Sequence, residues 1–291
     1  MATTPYINGL TIKPNSVSTL GVVTFTDGTN DVTPNQSQCE AYGYTYNELT
    51  GSCNAFNFNS NLEGDISNVK NKFNGAGNTT EFGSNTIQIN GTDNTTRGFN
   101  NNCLINGNTN EIANGVSNAV VFGTNGIART EGEFTIGGGK GSLSDADVAT
   151  FISRRKTSTI ELSGVTTDDT VTNLTVQGDG STYINVEANS IIGYDIFITR
   201  LELGGSSGTK GNYSYRNIRG AVKIDNSLTM SFVVGFNRNI AKIGINATCI
   251  MADSTTGGVP SISVNVKDRV NVHNLWSASV TLHEVVSTTT F

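Results

Sequence analysis

Charge is what this chain has least of. Only 14% of its 291 residues are charged, and the balance is acidic, at a formal −6. A nucleic-acid partner needs a basic face to neutralise its phosphates. The one dense basic run, Arg154-Arg155-Lys156, reads instead as a solvated helix end, so no nucleic acid is expected. Long apolar runs are missing too. No stretch approaches the roughly 18 residues needed to cross a membrane, and the N-terminus lacks the charged and apolar segments of an export signal. The expectation is synthesis in a cytoplasm without membrane insertion. Four cysteines are too few for a disulfide scaffold, and no Cys-x-x-Cys occurs, so neither structural zinc nor any cofactor is expected. Cys103 and Cys249 sit in apolar runs and read as small core residues. Cys39 and Cys53 bracket a Tyr- and Gly-rich loop, and the sequence leaves open whether they pair in an oxidising medium.

Catalytic signatures are equally scarce. No Gly-x-Ser-x-Gly elbow is present. The run Gly137-Gly138-Gly139-Lys140-Gly141 fails the phosphate-loop pattern at both ends, because Phe134 stands at its first glycine position and Gly141 follows the lysine. Glycan hydrolysis needs two carboxylates about 5 to 9.5 Å apart. Asp168 and Asp169 are chain neighbours that point to opposite faces of a strand, while Asp145 and Asp147 read as caps at a helix start. His273 and His283 lack a third metal ligand. No catalytic or metal-binding residue is assigned, and the chain is expected not to be an enzyme.

What is present is Gly, Asn, Thr and Ser, with 33 glycines, a texture that fits all-β structure. Between Asn71 and Phe134 it repeats. Phe73-Asn74-Gly75, Ile89-Asn90-Gly91, Ile105-Asn106-Gly107 and Val121-Phe122-Gly123 recur every 16 residues, and Asn78, Asn94 and Asn110 keep step. A period this short holds two short strands and two tight turns, in a unit that must stack on copies of itself. The reading is a β-solenoid or β-roll of roughly four coils. Ile89, Ile105 and Val121 are expected inside, with Asn94 and Asn110 either at outward corners or turned inward as ladders of hydrogen-bonded amides. So little apolar content per coil suggests further copies of the chain along the same axis, a homotrimer.

The run Ile105-Asn106-Gly107 through Gly126 resembles the β-roll repeats of trimeric fibrous adhesins and of bacteriophage fibres. The final VNVHNLWSASVTLHEVV is similar to the last strands of distal β-sandwich domains in phage tail-fibre proteins. The resemblance implies a structural virion protein, a tail fibre or head fibre that is a homotrimer made in the host cytoplasm. Its N-terminal region would dock on other virion proteins of the tail or capsid, and its distal part would contact the host surface.

The chain divides accordingly. Residues 1–60 form an N-terminal anchoring module whose aromatic loop, with Tyr42, Tyr44, Tyr46, Phe56 and Phe58, is either a docking surface or a small local core. Residues 61–140 form the repetitive shaft. It opens with a heptad-like spacing through Leu62, Ile66, Val69 and Phe73, ahead of the coils. Residues 141–156 are a helical linker, with a helix over 144 to 154 opened by Ser144 and acidic residues and closed by Arg154 and Arg155. Residues 157–291 carry a run of strands parted by turn signals without intervening helices, a jelly-roll-like β-sandwich head. Exposed aromatics could stack on host glycan. Trp276 reads as core, whereas Tyr213, Tyr215 and Arg216 in GNYSYRNIRG are the candidate receptor-binding residues. Two other readings are a capsid-attached decoration protein without a receptor role and a polysaccharide-degrading tailspike.

Overall fold

In the computed structural model the described residues are 4–18, 21–48, 50–55, 71–145 and 148–287. They fall into two compact units, Met1–Ile66 and Ser67–Phe291. The expected heptad over 62 to 69, together with Phe56 and Phe58, lies outside the described residues.

The N-terminal unit contains strands β1 (Lys13–Val17), β2 (Val23–Thr26) and β3 (Asp31–Val32), paired antiparallel in that order. Helix α1 (Gln36–Ala41) follows, opened by a capping box in which Asn35 and Gln38 each satisfy the other's backbone N–H. Strands β4 (Thr45–Asn47) and β5 (Ser52–Asn54) form a hairpin. Phe25, Ile12 and Val23 are buried with a Cys39–Cys53 disulfide, and Tyr42, Tyr44 and Tyr46 pack against them. Phe25 meets the Tyr42 ring edge-on at 5.6 Å, and the Tyr42 hydroxyl donates to the Ile12 carbonyl at 2.8 Å. The three tyrosines therefore build a local core. With so few apolar groups, the covalent tie matters: closing a loop of 14 residues is worth about 3 kcal/mol in chain entropy. Reduction is expected to make this unit protease-sensitive while a C-terminal fragment survives. Equal protease resistance with both thiols shown to be free would contradict the expectation.

The second unit opens with the coils. Each has one longer and one very short strand: β6 (Lys72–Asn74), β7 (Thr79–Thr80), β8 (Asn85–Thr92), β9 (Thr95–Thr96), β10 (Asn101–Asn108), β11 (Glu111–Ile112), β12 (Val120–Thr124) and β13 (Ile127–Ala128). Both sets stack in parallel at the expected period, Phe73 on Ile89, Ile89 on Ile105 and Ile105 on Val121 in one sheet, and Thr79 on Thr95 on Glu111 on Ile127 in the other. Ile89, Ile105 and Val121 are fully buried, as the register requires.

The asparagine column does not lie outside. Asn78, Asn94 and Asn110 are buried and form a ladder: Asn94 Nδ2 donates to Asn78 Oδ1 at 2.9 Å and to the Gly107 carbonyl at 2.8 Å. Asn110 repeats the pattern against Asn94 Oδ1 and the Gly123 carbonyl, at 3.2 and 2.8 Å. Of the two placements open to Asn94 and Asn110, the inward amide ladder is the one formed, and the outward corner is not. A coil this narrow turns its corner within one or two residues and leaves turn amides and carbonyls without ladder partners. A primary amide can donate to one and accept from another.

Glycine fixes the spacing. At Gly75, Gly91 and Gly107, with φ of +116, +127 and +143, an added Cβ would fall on the carbonyl oxygen of the glycine one coil further on. Only hydrogen fits between the rungs.

The remaining strands are β14 (Phe134–Asp145), β15 (Val148–Thr166), β16 (Thr172–Asn173), β17 (Thr175–Val176), β18 (Ile184–Asn185), β19 (Ser190–Gly204), β20 (Tyr213–Ile224), β21 (Met230–Ile243), β22 (Thr248–Asp253), β23 (Ser261–Lys267) and β24 (His273–Ser287). Where a helix was expected over 144 to 154, the described residues, 144–145 and 148–154, are strand: β14 and β15 pair antiparallel, Leu143 opposite Phe151. Acidic and basic ends suited a helix, but a glycine-rich strand already paired to the coils offers a ladder to continue. β14 stacks in parallel on β12 and antiparallel on β15, so one sheet runs β21-β20-β19-β24-β15-β14-β12-β10-β8-β6. A smaller sheet, β16-β23-β18 with β22 on β23, faces it. The two share a core of Ile196, Ile198, Ile218, Val222 and Val280 from the large sheet with Cys249, Met251, Ile262 and Val264 from the small one. Cys103 and Cys249 are buried, the latter thiol pushed up to about 11 by burial.

The junction of coils and large sheet holds a buried ionic cluster. Lys156 Nζ lies 2.7 Å from Glu133 Oε1 and 3.8 Å from Glu284, and Arg129 donates to Glu284 at 2.8 Å. Burial works against an ionised Glu133, yet Lys156 and the Arg129 backbone N–H hold its carboxyl below the usual range. A carboxyl so depressed stabilises the fold above its unfolded value of about 4.5 and loses that contribution as pH falls through the folded value.

Candidate functional site

The outer face of β15, β24, β19, β20 and β21 follows from strand alternation. On β19 the even positions from Ser190 to Glu202 are buried, and the odd ones are partly or fully exposed; β24 alternates likewise, odd positions outward. A solvent face should then read as polar. One cross-strand row does not. Val165 stands opposite Leu275, Leu275 opposite Leu201, Leu201 opposite Tyr213 and Tyr213 opposite Ile243, so the row spans all five strands. Each of the five is at least 39% exposed. The next row is Ser163, Ser277, Thr199, Tyr215 and Ala241, where Tyr215 stacks on Phe197 at 5.7 Å.

The loops beneath the apolar row are held from the inner face. Arg200, fully buried beside Trp276, pairs with Asp268 and donates to the Ile245 carbonyl at 2.8 Å. Glu202 accepts from Arg269 and Asn212 at 3.4 Å each. The row therefore sits on a fixed platform.

The sequence candidates are only partly brought together. Tyr213 and Tyr215 are exposed on the outer face, two residues apart on β20. Arg216, one residue on, belongs to the opposite face, where its guanidinium donates to Asn239 at 3.1 Å and Asn237 at 3.2 Å. Trp276 is buried and donates to Thr166 Oγ1 at 2.9 Å, as expected of a core residue. His273 and His283 are exposed on one face of the continuous strand β24, about 33 Å apart at 3.3 Å per residue. Asp168 is exposed and accepts from the Thr170 backbone N–H at 2.8 Å, which lowers its pKa. Among the described residues no group of three or more His, Cys, Asp or Glu is placed to hold a metal ion.

The apolar row was missed from sequence because Leu201 and Leu203 lie in IFITRLELGG, where apolar residues occur at both parities and do not by themselves mark the outward face. The signal was there. Once the even positions are assigned to the core, Leu201 has to face out.

No protein-family model matches the chain, and no curated protein matches it. Two solved structures are similar over part of their length. One is the tailspike protein gp49 of Acinetobacter baumannii bacteriophage Fri1, a capsular polysaccharide depolymerase, at 14% identity and a TM-score of 0.24 over 73% of this chain. The other is the tailspike protein of Acinetobacter baumannii phage AM24, at 11% identity and a TM-score of 0.24 over 78% of this chain. The chain spans 36% and 53% of those two proteins. Overlap this low fixes neither activity nor partner.

Proposed function

We propose that this protein is a non-enzymatic structural subunit of a bacteriophage virion, a homotrimeric fibre that projects from the particle and contacts the host surface. The observation that carries the reading is the stack of 16-residue coils, whose Gly, Asn and Ile columns resemble phage fibre repeats and whose ladder continues into the C-terminal sheet. The N-terminal unit is the anchor on other virion proteins, and the two facing C-terminal sheets are a β-sandwich head.

Assembly is supported by the apolar row. Five exposed hydrophobic residues in register form a band that another protomer can cover, and the row ends on β21, an edge strand of the large sheet. Light scattering on the purified chain should give three times 30.7 kDa, and Leu275→Asp should lower that mass without loss of β structure. A wild-type monomer would remove the trimer. Antibody against residues 157–291 should label projections on virions; label confined to unassembled protein would remove the virion assignment.

A further inference from the structure

A cleft of about 520 Å³ lies where the corners of two coils face the ends of the large sheet. It is separate from the tyrosine face. One wall carries Thr109 and Asn125, corner residues one coil apart at φ of +53 and +58, together with Glu111 of β11. The other carries Lys140 of β14, Arg154 of β15 and Glu187.

Lys140 and Arg154 are direct cross-strand partners across the β14–β15 hairpin. The register shifts between Gly137 and Lys140, and Gly139 there takes φ +84. The glycine run that failed the phosphate-loop pattern is thus a bulge that sets an ammonium opposite a guanidinium. Like charges in this position are destabilising. Lys140 Nζ has no partner among the described residues, and Arg154 uses one terminal nitrogen, Nη2, on Glu187 at 3.1 Å. Glu187 is shared with Arg129, while Glu111 is held by Arg97 at 3.0 Å. Burial and the neighbouring Arg129 act against the charge on Arg154 while Glu284 and Glu111 favour it, and the single-nitrogen contact to Glu187 leaves guanidinium donors for an added anion. Across the cleft, the Glu111 carboxylate and the Asn125 amide are partners for hydroxyl groups.

We propose that this cleft binds an acidic sugar, with its carboxylate between Lys140 and Arg154 and its hydroxyls against Glu111 and Asn125. A bare anion would leave the acidic wall unused, and a neutral sugar would leave the cation pair unrelieved. The cavity has the size of one or two sugar rings. This names the glycan class in the host-contact reading above, but its test does not depend on the particle.

Ligand-observed NMR on the full chain should detect a glucuronic-acid disaccharide, and binding of its neutral glucose counterpart should be at least tenfold weaker. Lys140→Gln, a change at an exposed side chain, should weaken the acidic ligand by about tenfold and leave the melting temperature unchanged. Inorganic phosphate should compete only at much higher concentration. Absence of acidic-sugar binding, equal binding of the neutral sugar, phosphate binding as tightly as the sugar, or indifference to Lys140→Gln would each overturn the proposal. None of these results bears on virion labelling or trimer mass, which test the other reading.

Discussion

Gly107→Ala should abolish folding of the coil stack, whereas Gly115→Ala should be tolerated. Both glycines have positive φ, +143 and +74, so both substitutions incur the left-handed penalty, about 1 to 2 kcal/mol per residue. They differ in what a methyl group meets. At Gly115 nothing lies within 4 Å. At Gly107 it would fall on the Gly123 carbonyl oxygen and within 2.9 Å of Asn110 Nδ2. That carbonyl accepts from Asn110 and belongs to a rung paired on both sides, so it cannot move without breaking two coils. The loss is expected to exceed about 4 kcal/mol, the range reserved for a specific structural conflict. Circular dichroism and thermal melts of the two variants decide it, and similar melting temperatures would mean that the coils are not stacked through this glycine column.

Asn94→Asp should be nearly as severe at neutral pH. The wild-type amide donates twice, to Asn78 Oδ1 and to the Gly107 carbonyl, and accepts from the Asn110 backbone N–H at 3.0 Å. An aspartate loses both donors and sets a carboxylate against two oxygens in a buried site, a change costing at least about 3 kcal/mol. Acid should bring part of this back. A carboxyl whose folded pKa is raised by burial is most stable when protonated, below its unfolded value of about 3.9, and loses that stability as pH rises through the folded value. The variant's melting temperature should therefore climb between pH 7 and pH 4. An unchanged melt at pH 7, as for a surface substitution, would put the asparagine column back on the outside.

The period was legible because three side-chain types with different tasks recur in step. Isoleucine at 89 and 105 fills the coil, glycine at 91 and 107 lets rungs approach, and asparagine at 94 and 110 returns every 16 residues. Which way asparagine faces was not legible, since polarity alone argues for solvent and the unmet backbone groups of a two-residue corner appear only in three dimensions. The helix assigned to 144 to 154 failed for a related reason. End charges favour a helix locally, but the ladder edge offered by β14 is a non-local partner with no local signature. Parity on β20 separated Arg216 from Tyr213 and Tyr215, and it could have been read from YSYRNIR once that stretch was taken as strand. Lys140 and Arg154 meet only because a glycine bulge adjusts the register, which spacing along the chain does not reveal.

The shared strand β14 also sets an order of events during synthesis. The backbone ladder of each coil runs to the coil before and the coil after, and a single rung contributes few buried groups, Ile87 and Ile89 in one, Cys103 and Ile105 in the next. The template with a large core of its own is the C-terminal sheet, whose backbone ladder joins that of the coils through β14. The ribosome delivers the coils first and their template last. If the larger core forms first, the ladder grows backward along the chain, from the most recently made rung to the earliest, and the N-terminal coils wait longest with their apolar columns open.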